Sequence, residues 1–435
     1  MKITVTSTIA SALWFAAAML SLAGTAARAG APPAEPPGSP AERFDYALED
    51  AFPGISFDQP LGIVSAPGDK ARVFVVEKTG RIQAVTGLDA GKPEKKLFLD
   101  LTKPRDGKLE TEGECGVLGL AFPADYTATK RCFVYYSLKS GGKLHQRLSR
   151  FTISGDQADA STEQPLLSQE DPASNHNGGD LLFGNDGFLY VCVGDGGAAD
   201  DQFNNARFIN KGFFAAILRL DVDKKAGSLE PNAHPGVPRD EKGHAFYSVP
   251  ADNPFVGAKI YHGESVDPGT VRTELWATGL RNPWRIHLDH PTGRMFVGDI
   301  GQNLYEEVDL IVKGGDYGWS HREGKHPFQQ GPGRAQLPPG FKPLEPIFEY
   351  PRSIGVSVTG GVVYRGEAFP KLSGAYVFAD YGTGLVMALR EKGKTWNAEN
   401  LTREPGIAGI GADPRNGDVL FANLAQGKVR RLKHP

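Results

Sequence analysis

The chain has 435 residues, 40% hydrophobic and 23% charged, an ordinary globular composition long enough for a sizeable core in one large or two moderate domains. A formal net charge of −3 excludes the basic footprint of a nucleic-acid binder. Three cysteines exclude a disulfide scaffold, and none stands in a CxxC metal spacing.

In chain order, residues 1–29 read as a cleaved signal peptide: Lys2 opens them, residues 9–22 are an apolar stretch, and Ala27 and Ala29 precede Gly30. The stretch is short for a membrane span, with a retained anchor as the alternative. The mature chain is thus expected to be periplasmic or secreted, with no membrane span. Losing Lys2 and Arg28 takes the formal charge from −3 to −5. Residues 30–43 form a proline-rich linker, which places the folded domain at 44–435. Export would permit one disulfide; Cys115 with Cys132 is the preferred pair, and an all-reduced buried set fits as well.

From residue 71 onward one pattern recurs six times. A turn leads into a short apolar strand, a polar or glycine break follows, and a second strand ends in charge. The copies begin at Ala71 (ARVFVVEKTGRIQAV), Lys130 (KRCFVYYS with RLSRFTI), Gly187 (GFLYVCVGDGG with AAILRLDV), Gly293 (GRMFVGDIGQ with EEVDLIV), Gly374 (GAYVFADYGTGLVMAL) and Gly417 (GDVLFANLAQGKVRRL). With 54 glycines and 32 prolines spread among them and no amphipathic helix between them, the series predicts an all-β fold, a six-bladed β-propeller. A β-sandwich explains the spacing less well. Residues 224–272 are the longest insertion, expected to lie over one end.

No Walker loop, HExxH, GxSxG or zinc-spaced cluster occurs, so the chemical candidates are polar residues at strand ends. His176, in SNHNGGD beside the apolar run 188–193, has small neighbours and can take a proton from a hydroxyl. Histidine in such a turn also serves simply to hydrogen-bond it. Arg281 and Asn282, in GLRNPWRI, pair a permanent cation with an amide, suited to a polar electron-accepting ring or to a plain salt bridge and turn. Glu114 precedes the apolar run 117–122 and faces either a sugar hydroxyl or water. Asp299, Glu306, Glu307 and the Gly301-Gln302 turn form an oxygen-rich stretch suited to calcium rather than zinc, or a solvated acidic loop. The GGDYGW run after it is expected to pack a turn between blades.

Together GECGVLGLAFPADY, NHNGGDLLFGNDGFLYVCVGDGG, YSVPADNPFVG, ELWATGLRNPWRI, VGDIGQNLYEEVDLIVKGGDYGW and VTGGVVYRG, from about Phe57 to the C-terminus, resemble the glucose/sorbosone dehydrogenase family, which includes soluble quinoprotein sugar dehydrogenases and the propeller of hedgehog-interacting proteins. The resemblance implies a six-bladed propeller. It implies His176 as the base that takes the anomeric proton and Arg281 and Asn282 as contacts to pyrroloquinoline quinone. It also implies Glu114 as a sugar contact and Gly301 and Gln302 as carbonyl ligands of calcium. One departure stands out: Gly406 and Ala408 fall where the soluble glucose dehydrogenases carry two arginines that clamp cofactor carboxylates, so either another cation such as Arg352 serves or the quinone binds weakly or not at all. The segment before VTGGVVYRG also lacks the aromatic residue that packs on the cofactor in that branch of the family. The expected function is therefore an aldose- or pyranose-oxidising enzyme with an external electron acceptor. Its alternatives are a non-catalytic carbohydrate- or protein-binding propeller and a calcium-dependent lactone hydrolase.

Overall fold

A computed structural model describes residues 44–331 and 337–435; the expected signal peptide and linker lie outside them. Each of the six sequence copies forms the middle pair of an antiparallel sheet of at least four strands. The pairs are Val73–Glu77 with Arg81–Thr86, Arg131–Ser140 with Lys143–Ser154, Leu189–Val193 with Ala216–Leu220, Arg294–Asp299 with Tyr305–Ile311, Tyr376–Asp380 with Leu385–Lys392, and Val419–Asn423 with Lys428–Lys433. Among the described residues the one α-helix is Tyr126–Thr129.

The strand before each pair lies nearest the axis. These inner strands are Pro60–Val64, Val117–Ala121, Leu181–Phe183, Pro283–Asp289, Val358–Val363 and Ile407–Ala412. Each packs on the next, and Ile407–Ala412 returns to Pro60–Val64, giving a six-bladed β-propeller. The N-terminal strand Ala47–Asp50 is the outer strand of the last blade, paired from Ala47 with Lys433 to Asp50 with Arg430, so the two ends of the domain close the ring together. Apolar side chains fill the space between blades, as in the Phe74, Phe98 and Phe122 cluster with ring centroids 4.7–5.8 Å apart.

The inner strands carry little alternation because both faces are buried, and they approach one another backbone to backbone. A Cβ on Gly119 would sit 2.1 Å from the Gly179 carbonyl oxygen, and one on Gly409 would sit 2.1 Å from that of Leu61. Five of the six inner strands slip register near their first residues, at 60/62, 117/119, 283/285, 358/360 and 407/409. Such a bulge re-aims the strand start and the residues before it. Deeper in the ring, Trp284 Nε1 donates to the Ala408 carbonyl (2.9 Å) and Arg285 Nη2 reaches that of Leu61 (2.8 Å), two blades on the far side. These side chains fill the axis, leaving one end as the mouth.

One expectation is corrected: the preferred disulfide does not form, and the alternative of an all-reduced buried set holds. Cys115, Cys132 and Cys192 are all free and buried. Val117 pairs with Tyr136 and Ala121 with Phe133, so Cys115 and Cys132 lie beyond opposite ends of one ladder, roughly 15 Å apart, whereas a disulfide needs Cα atoms within about 7 Å. The 224–272 insertion falls within the third blade, between Ala216–Leu220 and Leu275–Thr278, and side-chain bonds tie it down. Tyr261 Oη and His262 Nε2 bond the Asp316 carboxylate at 2.7 and 2.9 Å.

Gly119→Ala is expected to destabilise the fold by about 1–3 kcal/mol through overpacking, read as a lower urea midpoint. An unchanged midpoint would contradict the backbone contact between the second and third blades.

Candidate active site

His176 sits five residues before the inner strand Leu181–Phe183 with φ 58°, a left-handed conformation that the tight approach of Gly194 permits: a Cβ there would lie 1.9 Å from the His176 carbonyl oxygen. The imidazole is 4% exposed. Its Nδ1 lies 2.7 Å from Asp195 Oδ1, and its Nε2 lies 2.8 Å from Arg281 Nη2. A guanidinium only donates, so Nε2 is the accepting nitrogen and Nδ1 carries the proton toward Asp195. Asp195 Oδ2 accepts from Trp319 Nε1 at 2.8 Å, and the indole ring stands 5.5 Å from the Arg281 guanidinium carbon. Burial alone would raise the Asp195 carboxyl; His176, Arg281 and the Gly197 N–H outweigh it and hold it below the usual carboxylate range.

Glu114, from the second blade, ties the same region together. Its Oε2 accepts from the His176 N–H (2.7 Å), the Asn177 N–H (3.3 Å) and Asn282 Nδ2 (3.1 Å), while its Oε1 is buried without a partner. Asn282 is fully buried and its Oδ1 accepts the Gly178 N–H at 3.2 Å. Asp299 fixes the approach to the fourth inner strand by accepting the Arg281 and Asn282 N–H groups at 2.8 and 2.6 Å. Four of the expected site residues, Glu114, His176, Arg281 and Asn282, thus meet in one bonded cluster although they come from three blades. Below them a cavity of about 10 Å³ is lined by Glu114, Trp284, Ile300, Ser357, Thr359 and Ala408 among others, room for about one water.

Of the expected carbonyl ligands of calcium, Gly301 and Gln302, the Gly301 carbonyl already meets one guanidinium, and a second guanidinium holds the Gln302 side chain. The Gly301 carbonyl accepts from Arg352 Nη2 at 2.9 Å, and the Gln302 side-chain oxygen accepts from Arg281 Nε and Nη2 at 3.0 and 2.6 Å. Two guanidinium groups already supply the positive charge, and a divalent ion beside them meets repulsion. The set that can hold such an ion lies on the other face of the strand: Asp299, Glu307 and Asp309 have ligand oxygens within 4.8 Å of one another. Both Asp309 oxygens are buried with no partner. Burial, with the neighbouring carboxylates, pushes Glu307 and Asp309 well up, and burial pushes Asp299 up to about 7. A hard oxygen-binding cation would relieve that cost.

For pyrroloquinoline quinone, Arg281 and Asn282 supply N–H donors suited to ring oxygens at one edge, though each donor is already bonded within the chain. At the other edge Gly406 and Ala408 offer no charge, and Ala408 spends its carbonyl on Trp284. Sequence reasoning passed over Asp195, seen only as part of a glycine turn, Trp319, expected to be packing, and Asp309. The signal for Asp195 was an acid one glycine beyond the apolar run that ends at Val193.

A family model described as Glucose / Sorbosone dehydrogenase matches residues 57–237 and 244–429. The chain is 39% identical over 225 residues to the HIPL1 protein of Arabidopsis thaliana, covering 49% of this chain and 30% of that protein. It is 27% identical over 380 residues to human Hedgehog-interacting protein, covering 82% and 46%. With aldose sugar dehydrogenase YliI of Escherichia coli, identity is 25% over 276 residues, 60% of each. The chain therefore spans about half or less of the length of the first curated relatives it matches. The apo-form E. coli aldose sugar dehydrogenase superposes with TM-score 0.65 at 18% identity, over 90% of this chain and 100% of that one. The PQQ-bound enzyme of Streptomyces coelicolor gives 0.59 at 19%, over 91% and 100%, and these likenesses show the fold.

In chelator, Asp309→Asn is expected to stabilise the protein. A carboxyl whose folded pKa is raised keeps a proton the unfolded chain releases above about pH 4, so stability is full below that pH and falls as pH rises toward the folded pKa. The gain, about 1–3 kcal/mol, should be larger at pH 8 than at pH 5 by thermal unfolding. A variant less stable than wild type in chelator at pH 8 would refute this.

Proposed function

Because the chain belongs to the glucose/sorbosone dehydrogenase family, we propose that it is an exported, periplasmic or secreted, quinoprotein dehydrogenase oxidising an aldose or related pyranose at the anomeric carbon. The observation that carries this reading is the line Asp195, His176, Arg281, bonded at 2.7 and 2.8 Å. When bound, pyrroloquinoline quinone supplies the hydride acceptor, re-oxidised by an external electron acceptor; calcium, if required, is held by Asp299, Glu307 and Asp309. His176 Nε2 takes the proton of the anomeric hydroxyl as the C1 hydrogen leaves as hydride, so the sugar becomes the lactone. For that, Arg281 must move its Nη2 from the imidazole to the cofactor's oxygens, beside Asn282. Asp195 then stabilises the imidazolium, as a buried carboxylate on Nδ1 does. The free Oε1 of Glu114 accepts from a sugar hydroxyl.

A second reading, a carbohydrate- or protein-binding propeller, is favoured by the His176 ring having both nitrogens bonded within the chain and by the small axial cavity. The lactone hydrolase reading has less support, since Glu114 is the one carboxylate lining that cavity.

Purified protein given the quinone and calcium should reduce a dye with some member of an aldose panel. His176→Ala should lower kcat by at least about 10²-fold while leaving the quinone's absorbance shift in place. Absence of any absorbance shift on mixing would favour the binding propeller, and an active His176→Ala variant would remove the base.

A further inference from the structure

Beside the mouth, three oxygens converge on one guanidinium. Arg352 donates from Nη2 to the Gly301 carbonyl at 2.9 Å and from Nη1 to the Glu306 carboxylate and the Val356 carbonyl. Glu306 is fully buried, and its second oxygen takes the Val358 N–H at 2.8 Å. The Arg352 backbone is itself fixed, its N–H donating to the Leu304 carbonyl at 3.0 Å. One carboxylate and two backbone carbonyls make a hard oxygen set of the kind that takes calcium. The planar fork of a guanidinium meets the same three oxygens with a single charge that cannot be titrated away.

We propose that Arg352 is the chain's own cation at the mouth, filling a latent divalent-cation site formed by Gly301, Glu306 and Val356. Positive charge at this point of the rim is therefore independent of metal. The site is separate from the Asp299, Glu307 and Asp309 set, because Glu306 and Glu307 are neighbours on one strand and face opposite sides of the sheet. Taking the guanidinium away leaves a buried carboxylate unpaired, a costly state that a cation from solution can relieve. The inference concerns charge and oxygen geometry, and it holds whether or not the protein oxidises sugar.

The test uses thermal unfolding of the full chain in the Asp309→Asn background, in EDTA and in millimolar calcium, without sugar or quinone. The parent should show no calcium shift that Glu306→Gln removes. Arg352→Ala should melt lower in EDTA and recover by about 3 °C or more with calcium, and Arg352→Ala with Glu306→Gln should not recover. Equilibrium dialysis should count one more bound calcium for Arg352→Ala than for the parent. Should Arg352→Ala fail to fold in EDTA, Arg352→Gln takes its place in both measurements. No calcium recovery in either variant, or a parent shift abolished by Glu306→Gln, would overturn the proposal.

Discussion

In four of the six blades a polar side chain at or near the end of the second strand accepts from the backbone that leads into that blade's inner strand. Asp299 takes the Arg281 and Asn282 N–H groups, Asp380 those of Val356 and Ser357 at 2.7 and 2.8 Å, Glu77 that of Asp58 at 2.9 Å, and Ser137 that of Gly116 at 3.3 Å. These groups would otherwise be unpaired donors at a crowded axis. In the third blade the corresponding acid, Asp195, turns instead to the His176 ring and the Trp319 indole. The backbone N–H groups of His176 and Asn177 are then served by Glu114 from the neighbouring blade. One structural carboxylate is thereby released for chemistry, and the substitute ties two blades together at the point where the imidazole sits.

The electrostatics of the mouth follow from this arrangement. Arg281 and Arg352 flank the Gly301-Gln302 turn, and each is held by oxygens of the chain rather than by solvent. Buried donors fixed in advance interact strongly with negative charge that develops beside them, because they need no reorganisation. The deeper axis is closed by Trp284 and Arg285, so whatever enters does so from the rim. Burial opposes ionisation of Glu306, raising its carboxyl to about 7, and Arg352 works against that rise.

Membership of the glucose/sorbosone dehydrogenase family accounts for the ring of blades and the shared motifs. It leaves the charge distribution to this chain. Gly406 and Ala408, in the sixth blade, carry no charge, whereas Arg352 lies beside the fourth and fifth blades.

The sequence by itself determined the blade count, because the second strand of each blade is a short apolar run entered from a turn and followed, after a polar or glycine break, by a third strand that ends in charge, and all six pairs form where that pattern lies. It also determined which blades carry Glu114, His176, Arg281 and Asn282. The inner strands, such as IAGIGA and VTGGVV, were not legible as a set, since strands buried on both faces lose alternation and close packing replaces side chains with glycine. Partner choice was decided only by the tertiary structure: that Asp195 bonds an imidazole while Asp299 bonds backbone, that Trp319 reaches across to a carboxylate, and that Arg352 rather than a metal sits on Gly301. Each of these pairs joins residues 18 to 124 positions apart, and a contact between distant residues depends on how closure of the ring brings strand ends together, a quantity no local pattern contains.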